Sequence, residues 1–257
     1  MINLDFLEAN KEKLRSEYLL AKPFPYLVID NFCDTKKTEA LYNQIPELNN
    51  KSRDYMFAKN KFEKSNYREL GTEFDELYTD LISSRMNQFL SFISNEDIFV
   101  DPENHGGGLH QGKQNSFLDM HLDFNYHPLK KGWYRNMNLL FYLNKNWKPD
   151  YKGHLKLVDL RTNESKDLEV PFNRMIIQQT RAYTLHGYDQ TNFPPNHYRT
   201  SIATYAYTVH KHIVEKPRTT DWHPEDAQPI KKMAASVYGP AVKIKNYFFG
   251  SGTAKNK

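Results

Sequence analysis

Between Thr72 and Ile93 the apolar positions Phe74, Leu77, Leu81, Met86, Phe89, Leu90 and Ile93 recur every three to four residues, which predicts one amphipathic helix. Thr72 with Asp75 reads as its capping box. A weaker pattern with Phe6, Leu7, Leu14 and Tyr18 predicts an opening helix over residues 5–18, stopped by Pro23 and Pro25. Tyr26 to Ile29 then reads as a short buried strand, and Asp34 or Thr35 can cap a helix carrying Leu41, Tyr42 and Ile45. Residues 49–66 are polar, lysine-rich and without periodicity, and read as an exposed connection or a lid.

From about Asp97 the helical period gives way to short segments broken by turns. Candidate strands are 98–100, 108–111, 116–121, 136–143, 154–160, 168–170, 174–179 and 200–210, with 180–185 as a turn region. Helices first and strands afterwards predict an α+β chain whose strands form an antiparallel sandwich or barrel. A further helix is expected around 225–237, with Tyr247, Phe248 and Phe249 docking on the core. No internal repeat or linker divides the chain, so one domain is expected over residues 1–257: a mainly helical part at 1–96, the strand-rich core at 97–210 and a tail at 211–257.

Composition narrows the function classes. Aromatic residues make up 14% of the 257, which argues against disorder. The net charge of +4 is spread without a long Lys or Arg block and reads as a solvated basic face, so nucleic acid is not an expected partner. Cys33 stands alone, so neither an internal disulfide nor a cysteine zinc site can form. The first residues lack the apolar run of a signal peptide and no window is apolar enough to cross a bilayer. A cytoplasmic, soluble protein with no membrane partner is therefore expected.

The candidate chemistry starts at Met120-His121-Leu122-Asp123. On an extended backbone, side chains two residues apart share a face, so His121 and Asp123 can supply two legs of a metal site. A third leg must come from elsewhere. His105, His110, His127, His154, His186, His197, His210, His212 and His223 compete, and His186 has the best context, between a predicted strand at 174–179 and Gly187. Two imidazoles and one carboxylate form the facial triad of non-haem Fe(II) oxygenases, which leaves coordination positions open. Arg199 would then have a purpose, because its planar guanidinium can grip a carboxylate in two places. Gly106-Gly107-Gly108 has no Lys-Ser/Thr and no helix after it, and reads as a turn rather than a phosphate loop.

The order His121-Leu122-Asp123, His186, Arg199 resembles the signature of the 2-oxoglutarate and Fe(II)-dependent dioxygenases. The run Arg135-Asn-Met-Asn-Leu-Leu-Phe-Tyr-Leu-Asn-Lys-Asn-Trp147, with Gly153 to Leu157, Pro171 to Arg174 and Arg199 to Ile202, resembles the prolyl-4-hydroxylase-like branch. The likeness is strong over about residues 97–210 and weaker over 23–45.

What the resemblance implies is a double-stranded β-helix, or jelly roll, supported by N-terminal helices. His121, Asp123 and His186 would bind Fe(II) and act in catalysis. Arg199 would take the distal carboxylate of 2-oxoglutarate, helped by Tyr142 and Ser201. O2 would be the co-reactant, and ascorbate a candidate reductant. Related halogenases replace the carboxylate of the triad with Gly or Ala, so Asp123 favours hydroxylation. Lys152-Gly153-His154 departs from the Gly-Gly of many relatives, and this turn is expected to lie far from the ligands.

Arg135, Gln178 and Gln111 are the candidate substrate residues, and His110 could line the entrance. The expected activity is hydroxylation of an unactivated aliphatic C–H in a small molecule or peptide, such as a prolyl or other amino-acid position. Tailoring of a saccharide or secondary metabolite is the alternative enzyme, and a non-catalytic jelly-roll binding module the alternative of another class.

Overall fold

The computed structural model describes residues 1–49 and 56–224. The helix expected at 225–237 and the aromatic residues at 247–249 lie outside them. Among the described residues five α-helices come mostly first: α1 (Leu4–Ala9), α2 (Lys11–Leu20), α3 (Thr35–Asn43), α4 (Thr72–Leu81) and α5 (Ser84–Ser94). The strands are β1 (Tyr26–Asp30), β2 (Ala58–Lys64), β3 (Phe99–Val100), β4 (Gly108–Leu122), β5 (Trp133–Leu143), β6 (Leu155–Asp159), β7 (Ser165–Leu168), β8 (Phe172–Gln179), β9 (Thr184–Tyr188), β10 (Arg199–Val209) and β11 (Asp221–Trp222). Their order is β1-β8-β5-β10-β4-β9-β6-β7, with β2 and β11 on β4 and β3 on β10. This curled, wholly antiparallel sheet behind N-terminal helices is the α+β jelly-roll-like fold expected. No helix among the described residues is long and apolar enough to cross a membrane.

β5 shows why the sheet has an inside and an outside. Leu139, Phe141 and Leu143 join Phe74, Leu77, Phe89, Leu90 and Ile93 in the core beneath the helices. Tyr142, the alternate residue, instead packs with Leu155, Leu157 and Ile176, and Leu140 joins that cluster. Both faces are buried, so the strand reads as a continuous apolar run rather than an alternation.

The single helix expected over 72–93 is two, because Ser83 leaves helical geometry and its hydroxyl accepts from Met86 N, starting α5. The capping box is not made: α4 begins after Gly71 without a side-chain cap, and Asp75 instead takes Arg68 at 2.5 Å. The opening helix divides at Asn10 into α1 and α2.

Residues 108–111 and 116–121 belong to one strand, β4. The polar run between them reads as a turn, but Thr191 occupies its polar groups: Asn115 N donates to Thr191 O, Thr191 N to Ser116 O, and the Thr191 hydroxyl to Lys113 O. The connection at 49–66 contains β2, paired with β4 over Lys61–Lys64 and Ala58–Lys59. The turn region at 180–185 runs into β9, which carries His186.

Candidate active site

β4 and β9 pair so that His121 lies directly across from His186, and Asp123 follows the last residue of β4. His121 Nε2 is 3.8 Å from Asp123 Oδ1, and His186 Nε2 is 3.4 Å from Asp123 Oδ2. One ligand atom from each lies within 4.8 Å of the others. The pairing depends on Gly187. The register shifts between Leu118 and His121, and a Cβ on Gly187 would meet Leu118 O at 2.6 Å and Asp119 O at 3.0 Å.

His121 Nδ1 lies 2.9 Å from the Asp119 carbonyl, which can only accept, so Nδ1 carries the proton and Nε2 is left as the electron-pair donor. Its ring also packs at a tilt against Trp222, with centroids 4.8 Å apart.

The electrostatics prepare these groups for a cation. Burial lowers the pKa of His121 against the pull of Asp123, and burial with His121 beside it takes His186 down to about 3. Burial alone would raise Asp123, but Arg135, then His186 and His121, outweigh it and hold the carboxyl below its ordinary range. Two neutral imidazoles and an ionised carboxylate are the protonation states a divalent ion requires. His186 Nδ1 is buried without a hydrogen-bond partner. The donor set fits a metal ion, and iron most naturally.

The other residues singled out from sequence fall into two groups. Arg199, Tyr142 and Ser201 line the same cavity, of about 350 Å³, as the triad. Arg199 is fixed from three sides: Nε donates to Gly153 O at 2.7 Å, Nη2 to the Tyr142 hydroxyl at 3.3 Å, and the guanidinium lies 3.9 Å from the Tyr188 ring centroid. The 152–154 turn is therefore not remote, since it supplies a carbonyl to Arg199. Burial pushes the Tyr142 phenol up, partly offset by Arg199, so it stays a neutral hydrogen-bond donor.

Arg135 also lines the cavity, but it is 1% exposed rather than at the mouth, and its Nη2 sits 3.0 Å from Asp123 Oδ2. Gln111 is not among the lining residues; its amide accepts from Leu48 N and donates to Pro46 O, which uses it to pin the 46–48 segment. Gln178 is buried outside the cavity lining. His110 does line it, 3.9 Å from Glu63.

Sequence reasoning missed Asn138, which donates to Asp123 Oδ2 at 2.8 Å, and Lys61, Glu63, Tyr188 and Trp222 on the cavity wall. Tyr188 was within reach, because it stands two residues after His186 and so shares its strand face.

A jelly-roll-like sheet that sets two histidines and a carboxylate in one cavity with a buried arginine has the donor set of an iron-dependent oxygenase. Comparison makes the class specific. Residues 107–207 match the model of the 2OG-Fe(II) oxygenase superfamily, a span holding the triad, Arg199, Tyr142 and Ser201. The strand-rich core over these residues belongs to that superfamily, and with the triad it supports 2-oxoglutarate and Fe(II)-dependent dioxygenase activity of hydroxylase type.

Among solved structures it is similar to a prolyl 4-hydroxylase from Phytophthora capsici, at 17% identity and TM-score 0.55, covering 81% of this chain and 66% of that one. A Trichoplax adhaerens prolyl hydroxylase, solved with a hypoxia inducible factor peptide fragment, is 13% identical at TM-score 0.55, over 79% of this chain and 91% of that one. A Pseudomonas putida prolyl-4-hydroxylase is 14% identical at TM-score 0.54, over 77% and 99%. At these identities the likeness is one of fold. No curated protein matches the sequence.

Proposed function

We propose that the chain hydroxylates an unactivated aliphatic C–H of a small-molecule or peptide substrate, with a prolyl or other amino-acid position as the first candidate. Support for the prolyl case comes from the Arg135–Trp147 run and from solved neighbours that are prolyl hydroxylases. The observation that carries the reading is the convergence of His121, Asp123 and His186 on one point in the cavity that also holds Arg199.

His121 Nε2, His186 Nε2 and an Asp123 oxygen would hold Fe(II). With 2-oxoglutarate and O2 bound, iron supplies an oxidant able to take hydrogen from carbon, leaving succinate and carbon dioxide as co-products. Arg199 would take the distal carboxylate in a charge-assisted bond, with the Tyr142 and Ser201 hydroxyls donating to the same group. Ser201 faces Tyr142 directly across β10 and β5, and both side chains line the cavity.

Arg135 holds Asp123 with one edge, while its Nη1 is buried and unpartnered, available to a substrate oxygen. Ascorbate would serve as a reductant that restores Fe(II). A single domain in the cytoplasm completes the proposal, in keeping with the lone, buried Cys33.

Succinate release measured with free amino acids, proline-containing peptides, and saccharide or secondary-metabolite pools, followed by a search for product 16 mass units heavier, tests the substrate class. Coupled turnover with an amino acid or peptide is expected. A hydroxylated saccharide or metabolite instead would replace the prolyl reading with a tailoring one.

A further inference from the structure

The cavity carries a third cation that the triad and Arg199 leave unexplained. β2 lies along β4, and its inward side chains Lys61 and Glu63 both line the cavity. The register runs straight across three strands. Lys61 faces Gly112, and Gly112 faces Arg199. In the next row Glu63 faces His110, His110 faces Ser201, and Ser201 faces Tyr142. At about 4.8 Å between strands, the backbones of Lys61 and Arg199 are roughly 10 Å apart. The residue between them carries no side chain of its own. A Cβ on Gly112 would meet the Ser116 hydroxyl at 2.4 Å and the Tyr188 hydroxyl at 3.3 Å, so these two hydroxyls line the lane between the cations.

Two cations flank this lane, and in the structure Lys61 is paired with Glu63 at 3.0 Å, both side chains less than a quarter exposed. The Lys61 charge also acts on Tyr142 and on both histidines of the triad. An ion pair facing a cavity is a poor permanent fixture, since each partner has given up water, and Glu63 also has His110 at 3.9 Å. It suits a lysine that exchanges one carboxylate for another.

We propose that Lys61 is a second cation for the cosubstrate, releasing Glu63 to take up the distal carboxylate of 2-oxoglutarate opposite Arg199. This rests on the oxygenase reading and adds to it a binding residue supplied by an edge strand. Glu63 acts as the internal competitor: it keeps Lys61 neutralised until the dicarboxylate arrives.

The test is an anaerobic titration of the full chain, loaded with Fe(II), following the charge-transfer absorption as 2-oxoglutarate is added. Lys61→Met should raise the dissociation constant roughly tenfold or more, the scale of one charge-assisted hydrogen bond. Glu63→Gln should lower it, because the competitor is gone. A merely structural pair would shift both variants the same way.

The double variant K61M/E63Q separates contact from screening. If Lys61 touches the carboxylate, the double variant stays weak; if Lys61 only masks Glu63, affinity returns to the wild-type value and the proposal is overturned. Titration with 2-oxobutyrate, which chelates in the same way but lacks the distal carboxylate, should be indifferent to K61M. Equal weakening of both acids places Lys61 elsewhere and also overturns it. A wild-type band with unchanged 2-oxoglutarate affinity in K61M sinks the Lys61 role alone, whereas no band in the wild type sinks the oxygenase reading beneath it.

Discussion

Arg135 shows how one residue can govern a site without being a ligand. Its guanidinium lies 3.4 Å from the Tyr205 ring centroid and 4.6 Å from that of Phe124, and its Nε donates to Asn138 Oδ1 at 2.8 Å. Asn138 in turn donates to Asp123, so arginine and amide share one carboxylate oxygen. That fixes the Oδ2 side of Asp123 and keeps it ionised. Partners of metal ligands typically contribute ten- to hundredfold in metal affinity. Arg135→Gln should therefore weaken Fe(II) binding by about that factor, measured by competition with a chelator. Arg135→Lys should recover only part, since an ammonium cannot fill the flat slot between two rings. Unchanged affinity in R135Q would remove Arg135 from the metal site. The residue was legible as functional because an arginine precedes an apolar strand; its direction was not, because parity along a strand does not say how far a long side chain reaches inward.

At the scale of elements, the strands that were easy to read are those packed against apolar neighbours. β2 was missed for a physical reason. Its sequence, Ala-Lys-Asn-Lys-Phe-Glu-Lys, turns Lys61 and Glu63 toward a polar cavity, so the rule that inward residues are apolar fails where the inside is a binding site. β11 was missed because two residues show no period.

The segment leading to β11 also holds the metal-binding loop. Glu215 accepts from Asn125 Nδ2 at 3.0 Å, Tyr134 OH at 3.2 Å and Ala182 N at 2.8 Å, and pairs with Arg218. Arg218 Nε then donates to the Asp123 carbonyl at 2.9 Å. Removing a half-buried carboxylate with several donors costs about 1–3 kcal/mol. Glu215→Ala should lower the melting temperature by several degrees and loosen metal retention together. A lower melting temperature with unchanged metal retention would show that the strap supports the fold and not the site.

For the whole molecule, the division of labour follows from the curled sheet. The outer face is covered by helices through an apolar core, and the inner face holds the cavity, so stability and chemistry draw on different sides of the same strands. The class of fold was legible from the change of period near residue 97. His121, Asp123, His186 and Arg199 were legible as a set because several motifs stand in register along the chain. What the sequence could not show were the residues brought in by irregular pairing: Lys61 across a register shift, Gly187 against a bulge, and Gly153 beneath Arg199.

Under the proposed function, the three ligands and the buried arginine together bind Fe(II) and 2-oxoglutarate. Anaerobic addition of both to the folded protein measures it most directly. A metal-to-ligand charge-transfer band should appear in the wild type, disappear in His186→Ala, and require far more 2-oxoglutarate in Arg199→Ala. No band in properly folded wild-type protein, or an undiminished one in His186→Ala, would contradict the account.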